Sequence, residues 1–306
     1  MRLVPKVRNK LLTFLKLSVA FGAVFFICSK VLKQEIEWAN LDWPHQFSIW
    51  LLLIIFLMLF NWGLEAFRWM KALALSEDLS FSQSTKAVLR GLALNWVLPM
   101  TSGDFFSRLS QANDKYQATS ALVFSRGIML FLTLIYGFIS AQFYFRENLI
   151  YNNVLKYEWL GFLVLLVLIG WFFRRKASNF MVYFRGLSAS RVLIVILLSI
   201  IRYTVFTIQL FIMLKIFMPH LSSEILLYGI GWIFFFRSVL PGILGGIGVR
   251  EASGIVFFAS FDQQGVVIVP IFLIWLINTV IPSIAGIYYI WTFSGIKTRT
   301  VSTTAV

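Results

Sequence analysis

The sequence predicts an all-α integral membrane protein: about six spanning helices plus two re-entrant hairpins, arranged as an inverted-topology internal repeat. Three observations lead there. Hydrophobic residues make up 59% of the 306 and charged residues only 13%, with a mean hydropathy of +0.82, a balance suited to lipid rather than water as the main solvent. The apolar residues also fall in runs long enough to cross a bilayer as helices. Finally, one polar break occurs twice. Leu98-Pro99, Gly103 and Arg108 repeat the spacing of Leu240-Pro241, Gly245 and Arg250, with glycine four residues after the proline and arginine nine.

In chain order, Arg2, Lys6, Arg8 and Lys10 precede an apolar run over 11–32. It exceeds a signal-peptide core and no small-residue cleavage pattern follows, so it reads as a first span. A second span covers 47–71, with Trp43, Trp50, Trp62 and Trp69 as interfacial anchors. Residues 84–113 are too polar for lipid-facing spans: Arg90 and Asn95 interrupt the arm over 87–98, Pro99 stops it, and the next arm carries Asp104 and Arg108. Further spans are expected over 117–144, 157–173, 192–217 and 265–291, with a second broken pair of arms over 225–240 and 243–261. The chain therefore reads as a single polytopic domain over 1–306, with repeat A at about 11–145 and repeat B at about 157–292.

The net charge of +14 would point to nucleic acid in a soluble protein. Here the bases lie between apolar runs, where orientation and anionic headgroups account for them, so no nucleic-acid partner is expected. Six spans place both termini and the cluster Arg174, Arg175, Lys176, Arg185 and Arg191 on one side, expected to be the cytoplasmic face of an inner membrane. The other side holds Glu35, Glu37, Asp42, Glu147, Glu158, Glu224 and Asp262. Three spans per repeat invert the second half, so the hairpins enter from opposite faces and meet near the midplane. Cys28 has no disulfide partner, and His45 and His220 lie far apart without ligand-like neighbours, so neither a metal nor a cofactor is expected.

The chemistry concentrates at the breaks. Proline ends each first arm, while Gly242, Gly245, Gly246 and Gly248 let backbones approach closely. The second arm then starts with amide N–H groups facing the break, an arrangement that favours an anion, and Arg250 adds a forked cation suited to phosphate. In the first half Thr101, Ser102 and Asp104 are candidate caps and Arg108 is the equivalent cation, paired with Asp104 at i,i+4. Arg237, Arg250 and Glu251 cluster within fifteen residues. Arg126 and Arg202 sit inside apolar runs and need partners, either Glu65, Asp104 and Glu251 or a lipid phosphate. Glu65 and Arg68, at i,i+3 near a helix end, read as a structural surface pair. The bland alternative is that the breaks only pack helices closely and the arginines snorkel. With so few acids and no histidine cluster at depth, acid–base catalysis has little material, and no catalytic residue is assigned.

The stretch L-P-G-I-L-G-G-I-G-V-R-E from Leu240 to Glu251, with L-P-x3-G-D-x3-R from Leu98 to Arg108 and then Ser125-Arg126, resembles the flippase-like transmembrane domain of lysylphosphatidylglycerol synthases. The resemblance implies movement of a phosphate-bearing lipid between leaflets, of the aminoacyl-phospholipid or polyprenyl-phosphate type. It implies that Gly103, Arg108, Arg126, Pro241, Gly245, Gly246, Gly248, Arg250 and Glu251 line the lipid path, to which Pro99, Asp104 and Arg237 are added from the reading of the breaks. The expected partners are a membrane lipid with an anionic headgroup and a lipid-modifying enzyme. The chain is expected to be a stand-alone member without the soluble aminoacyl-transferring domain, so synthase activity is not expected.

Overall fold

The computed structural model describes residues 47–74, 78–96, 98, 102–148, 188–240, 248–261 and 265–292. The elements in these stretches are helical: α1 (Phe47–Leu73), α2 (Phe81–Leu94), α3 (Ser102–Leu109), α4 (Lys115–Asn148), α5 (Ala189–Phe217), α6 (Ser223–Val239) and α7 (Val249–Phe258). A short 3-10 turn, Ala259–Phe261, follows. The last stretch is α8 (Ile268–Trp275), a π-helical turn (Leu276–Val280) and α9 (Ile281–Trp291). Four of these stretches are long and apolar enough to cross a membrane: Phe47–Leu73, Lys115–Phe145, Ala189–Phe217 and Ile268–Trp291. The spans expected over 11–32 and 157–173 lie outside the described residues, as do Pro99, Pro241, Gly245 and Gly246.

Local chemistry sets the helix starts. Ser80 accepts the Gln83 N–H while the Gln83 side chain accepts the Ser80 N–H, a reciprocal cap that opens α2. Asp114 accepts the Tyr116 and Gln117 N–H groups at the start of α4, and Ser222 accepts that of Ile225 at the start of α6. Both broken segments are pairs of packed short helices, α2 with α3 and α6 with α7.

The hairpin arms pack across the molecule rather than only on their own neighbours. Arm α6 lies along α4, and arm α2 lies along α9. Both pairs run antiparallel. Phe143 stacks on Tyr228 at 4.2 Å, and the Tyr136 hydroxyl donates to the Leu227 carbonyl at 2.6 Å. On the other side Lys86 sits 5.9 Å over the Tyr289 ring, and the Trp96 indole donates to Ser283 at 3.0 Å. Glycines make this closeness possible: a Cβ on Gly137 would collide with Phe235, on Gly231 with Ser140, and on Gly286 with the Leu89 carbonyl. A large core gathers Met58, Met213, Leu214, Ile230, Ile233, Phe257 and Phe258 among α1, α5, α6 and α7.

Helices α1 and α5 form a central antiparallel pair. The Gln209 amide donates to the Ile54 carbonyl at 3.0 Å, and toward the other end of α1 the Arg68 guanidinium reaches the Ser199 hydroxyl at 3.0 Å. Apolar packing holds one stretch of this pair, and charge holds the other.

Candidate functional site: a buried arginine cluster

Glu65 is the hub. It is 4% exposed and accepts Arg68 Nη2 at 2.5 Å and Arg108 Nη2 at 2.6 Å, while Arg202 Nε lies 3.3 Å from Oε2. Thus α1, α3 and α5 meet on one carboxylate. Asp104 is a second node: its Oδ1 accepts Arg108 Nε at 2.8 Å and its Oδ2 accepts Arg126 from α4. Two acids therefore hold four arginines.

Arg202 lies 13 residues from the start of its helix and 15 from the end, about 20 Å from either terminus at the helical rise of ~1.5 Å per residue. A charge at such depth costs roughly 2.5–3.5 kcal/mol on insertion scales unless partnered. The partners are carboxylates and aromatic faces together. Arg202 lies 5.3 Å over Trp62 and 5.1 Å over Phe206, Arg126 lies 4.4 Å over Phe105, and Arg108 lies 5.4 Å over Trp69. Arg68 also donates to the Ser125 carbonyl at 3.2 Å.

Local backbone geometry presents these side chains. The Asp104 N–H donates to the Asn95 side-chain oxygen at 3.0 Å, tying the start of α3 back to the end of α2. Gly91 and Gly103 permit the approach, since a Cβ on Gly91 would lie 2.7 Å from the Asp104 Cα and one on Gly103 2.5 Å from the Leu94 carbonyl carbon.

The second hairpin supplies the other charges. Gly248 has φ 90°, a conformation that strains any residue with a Cβ. Its N–H donates to Glu251 at 2.8 Å, so an internal carboxylate occupies the amide at the start of α7 where an external anion was expected. Arg250 is 6% exposed, with Nη2 3.9 Å from Glu251. Arg237, on the last turn of α6, is exposed and within Coulombic reach of Arg250, Glu251 and Arg202. A row of charge thus runs from Arg126, whose side chain is 33% exposed, through buried Arg108, Glu65 and Arg202, to exposed Arg237.

Of the residues singled out in the sequence, Gly103, Asp104, Arg108 and Arg126 come together in the first part of this row, and Arg237, Gly248, Arg250 and Glu251 in the second. The surface-pair reading of Glu65 and Arg68 is overturned: both are buried, and Glu65 holds the cluster together. The Asn95 side chain caps the Asp104 N–H, and Thr101 lies outside the described residues. Among the described residues no three His, Cys, Asp or Glu side chains are grouped so as to hold a metal ion.

One family model, described as the lysylphosphatidylglycerol synthase TM region, matches residues 13–286. No curated protein and no solved structure matches the chain.

Proposed function

The chain belongs to the lysylphosphatidylglycerol synthase transmembrane-region family, and from that premise together with the buried arginines we propose that it is a lipid flippase, moving a phosphate-bearing lipid between leaflets. The observation that carries the proposal is the row of arginines crossing the interior of a multi-pass membrane protein, buried in its middle and open at Arg126 and Arg237. Buried arginine forks are suited to bind phosphate. Exposure at Arg126 and Arg237 suits a headgroup that reaches the buried arginines while its chains stay in lipid.

Paired contacts with the offsets an inverted repeat would have support this reading. The contact of Gly231 with Ser140 has its counterpart in that of Leu89 with Gly286, since Leu89 and Gly231 are 142 residues apart and Ser140 and Gly286 are 146 apart. The pair Phe143 and Tyr228 corresponds in the same way to Tyr289 and Lys86. Helices α1 and α5, the second spans of the two halves, run antiparallel, as inversion requires. In this reading the hairpins are re-entrant, repeat A covers about 11–145 and repeat B about 157–292, and the termini face the cytoplasm from an inner membrane.

The alternative, a membrane-embedded enzyme or a scaffold for a lipid-modifying partner, draws less support. Glu65 and Asp104 are held by arginine and Glu251 by an amide, which leaves them poor candidates for proton transfer. The test is leaflet transfer of labelled lipid in proteoliposomes of the purified full-length chain. Arg250→Ala and Arg108→Ala should each abolish transfer in folded protein, and unchanged transfer in both would overturn the site assignment.

A further inference from the structure

We propose that Trp62 is a positioning residue for the charged centre, and that the interrupted helical ladder of the last span is the fixed point from which it aims Arg202. The proposal rests on the flippase reading and deepens it, by naming what holds an arginine ready for a headgroup.

The last span does not run as one regular helix. Between α8 and α9 it passes through the π-helical turn Leu276–Val280, where the Ile281 N–H donates to the Leu276 carbonyl five residues back. Pro282 follows, and it has no N–H to give the Asn278 carbonyl four residues before it. A carbonyl that loses its helical donor at membrane depth costs free energy until another donor reaches it. Here the Trp62 indole of α1 does so, at 3.1 Å. Single π-helical turns inside α-helices are frequent at functional sites, and this one is joined to the charged centre through Trp62.

The rest of the Trp62 side chain meets Arg202. Trp62 lies one turn before Glu65 on α1, so the two side chains share a face. Arg202 stands 5.3 Å over the Trp62 ring, with its Nε 3.3 Å from Glu65. Phe206 offers Arg202 a second ring at 5.1 Å. A cation needs only the face of a ring. What Trp62 adds over a phenylalanine is an N–H, and that N–H goes to the last span. Carboxylate, guanidinium, ring and carbonyl thus form one chain of contacts from Glu65 to Asn278.

The other acid of the centre is tied to the same stretch. Asn95, which accepts the Asp104 N–H, is followed by Trp96, whose indole donates to Ser283 at 3.0 Å and whose ring lies 5.8 Å from Trp275. Ser283 in turn donates to the Thr279 carbonyl at 2.6 Å. The stretch is itself anchored, because Ile271 and Ile274 of α8 and Ile277 of the turn belong to the large core. Arginines held in place beforehand bind an anion more tightly, since ordering long side chains on binding costs free energy.

The test separates aiming from stability. The unfolding midpoint and the binding of short-chain phosphatidylglycerol and of inorganic phosphate are measured on the full-length chain in detergent, and leaflet transfer of labelled lipid in proteoliposomes. Trp62→Phe keeps a ring under Arg202 and removes the N–H. It should lower the midpoint by roughly 2–4 °C and weaken binding about fivefold, the equivalents of one hydrogen bond. Adding Pro282→Ala gives the Asn278 carbonyl a helical N–H in place of the indole, so the midpoint should return while binding stays weak. Recovery of binding together with the midpoint would overturn the proposal, because the indole would then serve stability alone. Unchanged binding in Trp62→Phe would overturn it too. Inorganic phosphate, the headgroup chemistry without the chains, should lose the same factor as the lipid, and a loss confined to the lipid would place the effect on the chains and overturn the proposal. The expected binding pattern without transfer of any lipid would support the role of Trp62 and sink the flippase reading instead.

Discussion

Glu65 is the residue on which the interior charges most depend, because three guanidiniums converge on its two oxygens. Replacing it by Gln leaves Arg68, Arg108 and Arg202 without their common counter-charge, and losing one partner of a buried ion pair costs about 3–5 kcal/mol. Glu65→Gln should therefore lower the unfolding midpoint in detergent more than any other single carboxyl-to-amide change. Arg126 behaves differently. Its side chain is a third exposed, and its partner Asp104 keeps Arg108 when Arg126 is removed, so no buried carboxylate is left unpaired. Arg126→Ala should leave the unfolding midpoint nearly unchanged while slowing lipid transfer. The pairing of Asp104 with Arg108 was legible in the sequence, since i,i+4 spacing on a helix brings the side chains together. The role of Glu65 was not, because an i,i+3 pair near a helix end looks the same on a surface as in a core. A signal was nevertheless present: Asn61, Glu65 and Arg68 fall at i, i+4 and i+7, which makes one polar stripe on an otherwise apolar helix.

Glycine sets the spacing between hairpin arms and long helices. Gly286 faces the Leu89 backbone so closely that a methyl group would force α2 and α9 apart, whereas a Cβ on Gly127 would meet nothing within 4 Å. Gly286→Ala should destabilise by about 1–3 kcal/mol, the range for overpacking. Gly127→Ala, on the same scale, should be neutral or stabilising by up to about 1 kcal/mol from helix propensity. Thermal unfolding of both variants in one detergent checks the contrast. The long apolar runs gave the spanning elements nearly to their ends: 47–71 was expected where α1 is Phe47–Leu73, and 192–217 where α5 is Ala189–Phe217. The hairpin arms were placed less well. The first arm, expected from 87, already starts as a helix at Phe81, where Ser80 and Gln83 cap it, while residues 243–247 of the second hairpin lie outside the described residues. The π-helical turn at Leu276–Val280 carries no periodicity strong enough to announce it in an apolar run.

At the scale of the molecule, the prediction concerns how the hairpins sit in the bilayer. With Cys28 replaced by Ser, single cysteines introduced at 97–101 and at 242–247 should react slowly with membrane-impermeant thiol reagents from either side. Rapid labelling of either loop from the face opposite its entry would exclude a re-entrant hairpin. What sequence could not supply at this scale was the exchange of partners, α2 with α9 and α6 with α4, because each half alone satisfies the hydropathy pattern without it. The α1–α5 seam has a further consequence. Separating these two helices would expose Glu65, Arg68 and Arg202 to hydrocarbon at once, so the seam should stay closed throughout a transport cycle. A disulfide joining cysteines at Ile54 and Gln209, where the two helices already touch, should therefore leave transfer intact, and abolished transfer would exclude a fixed seam. A seam fixed in this way would act as a fulcrum and leave any motion of the proposed transporter to the glycine-lined arms, since the charged centre resists separation.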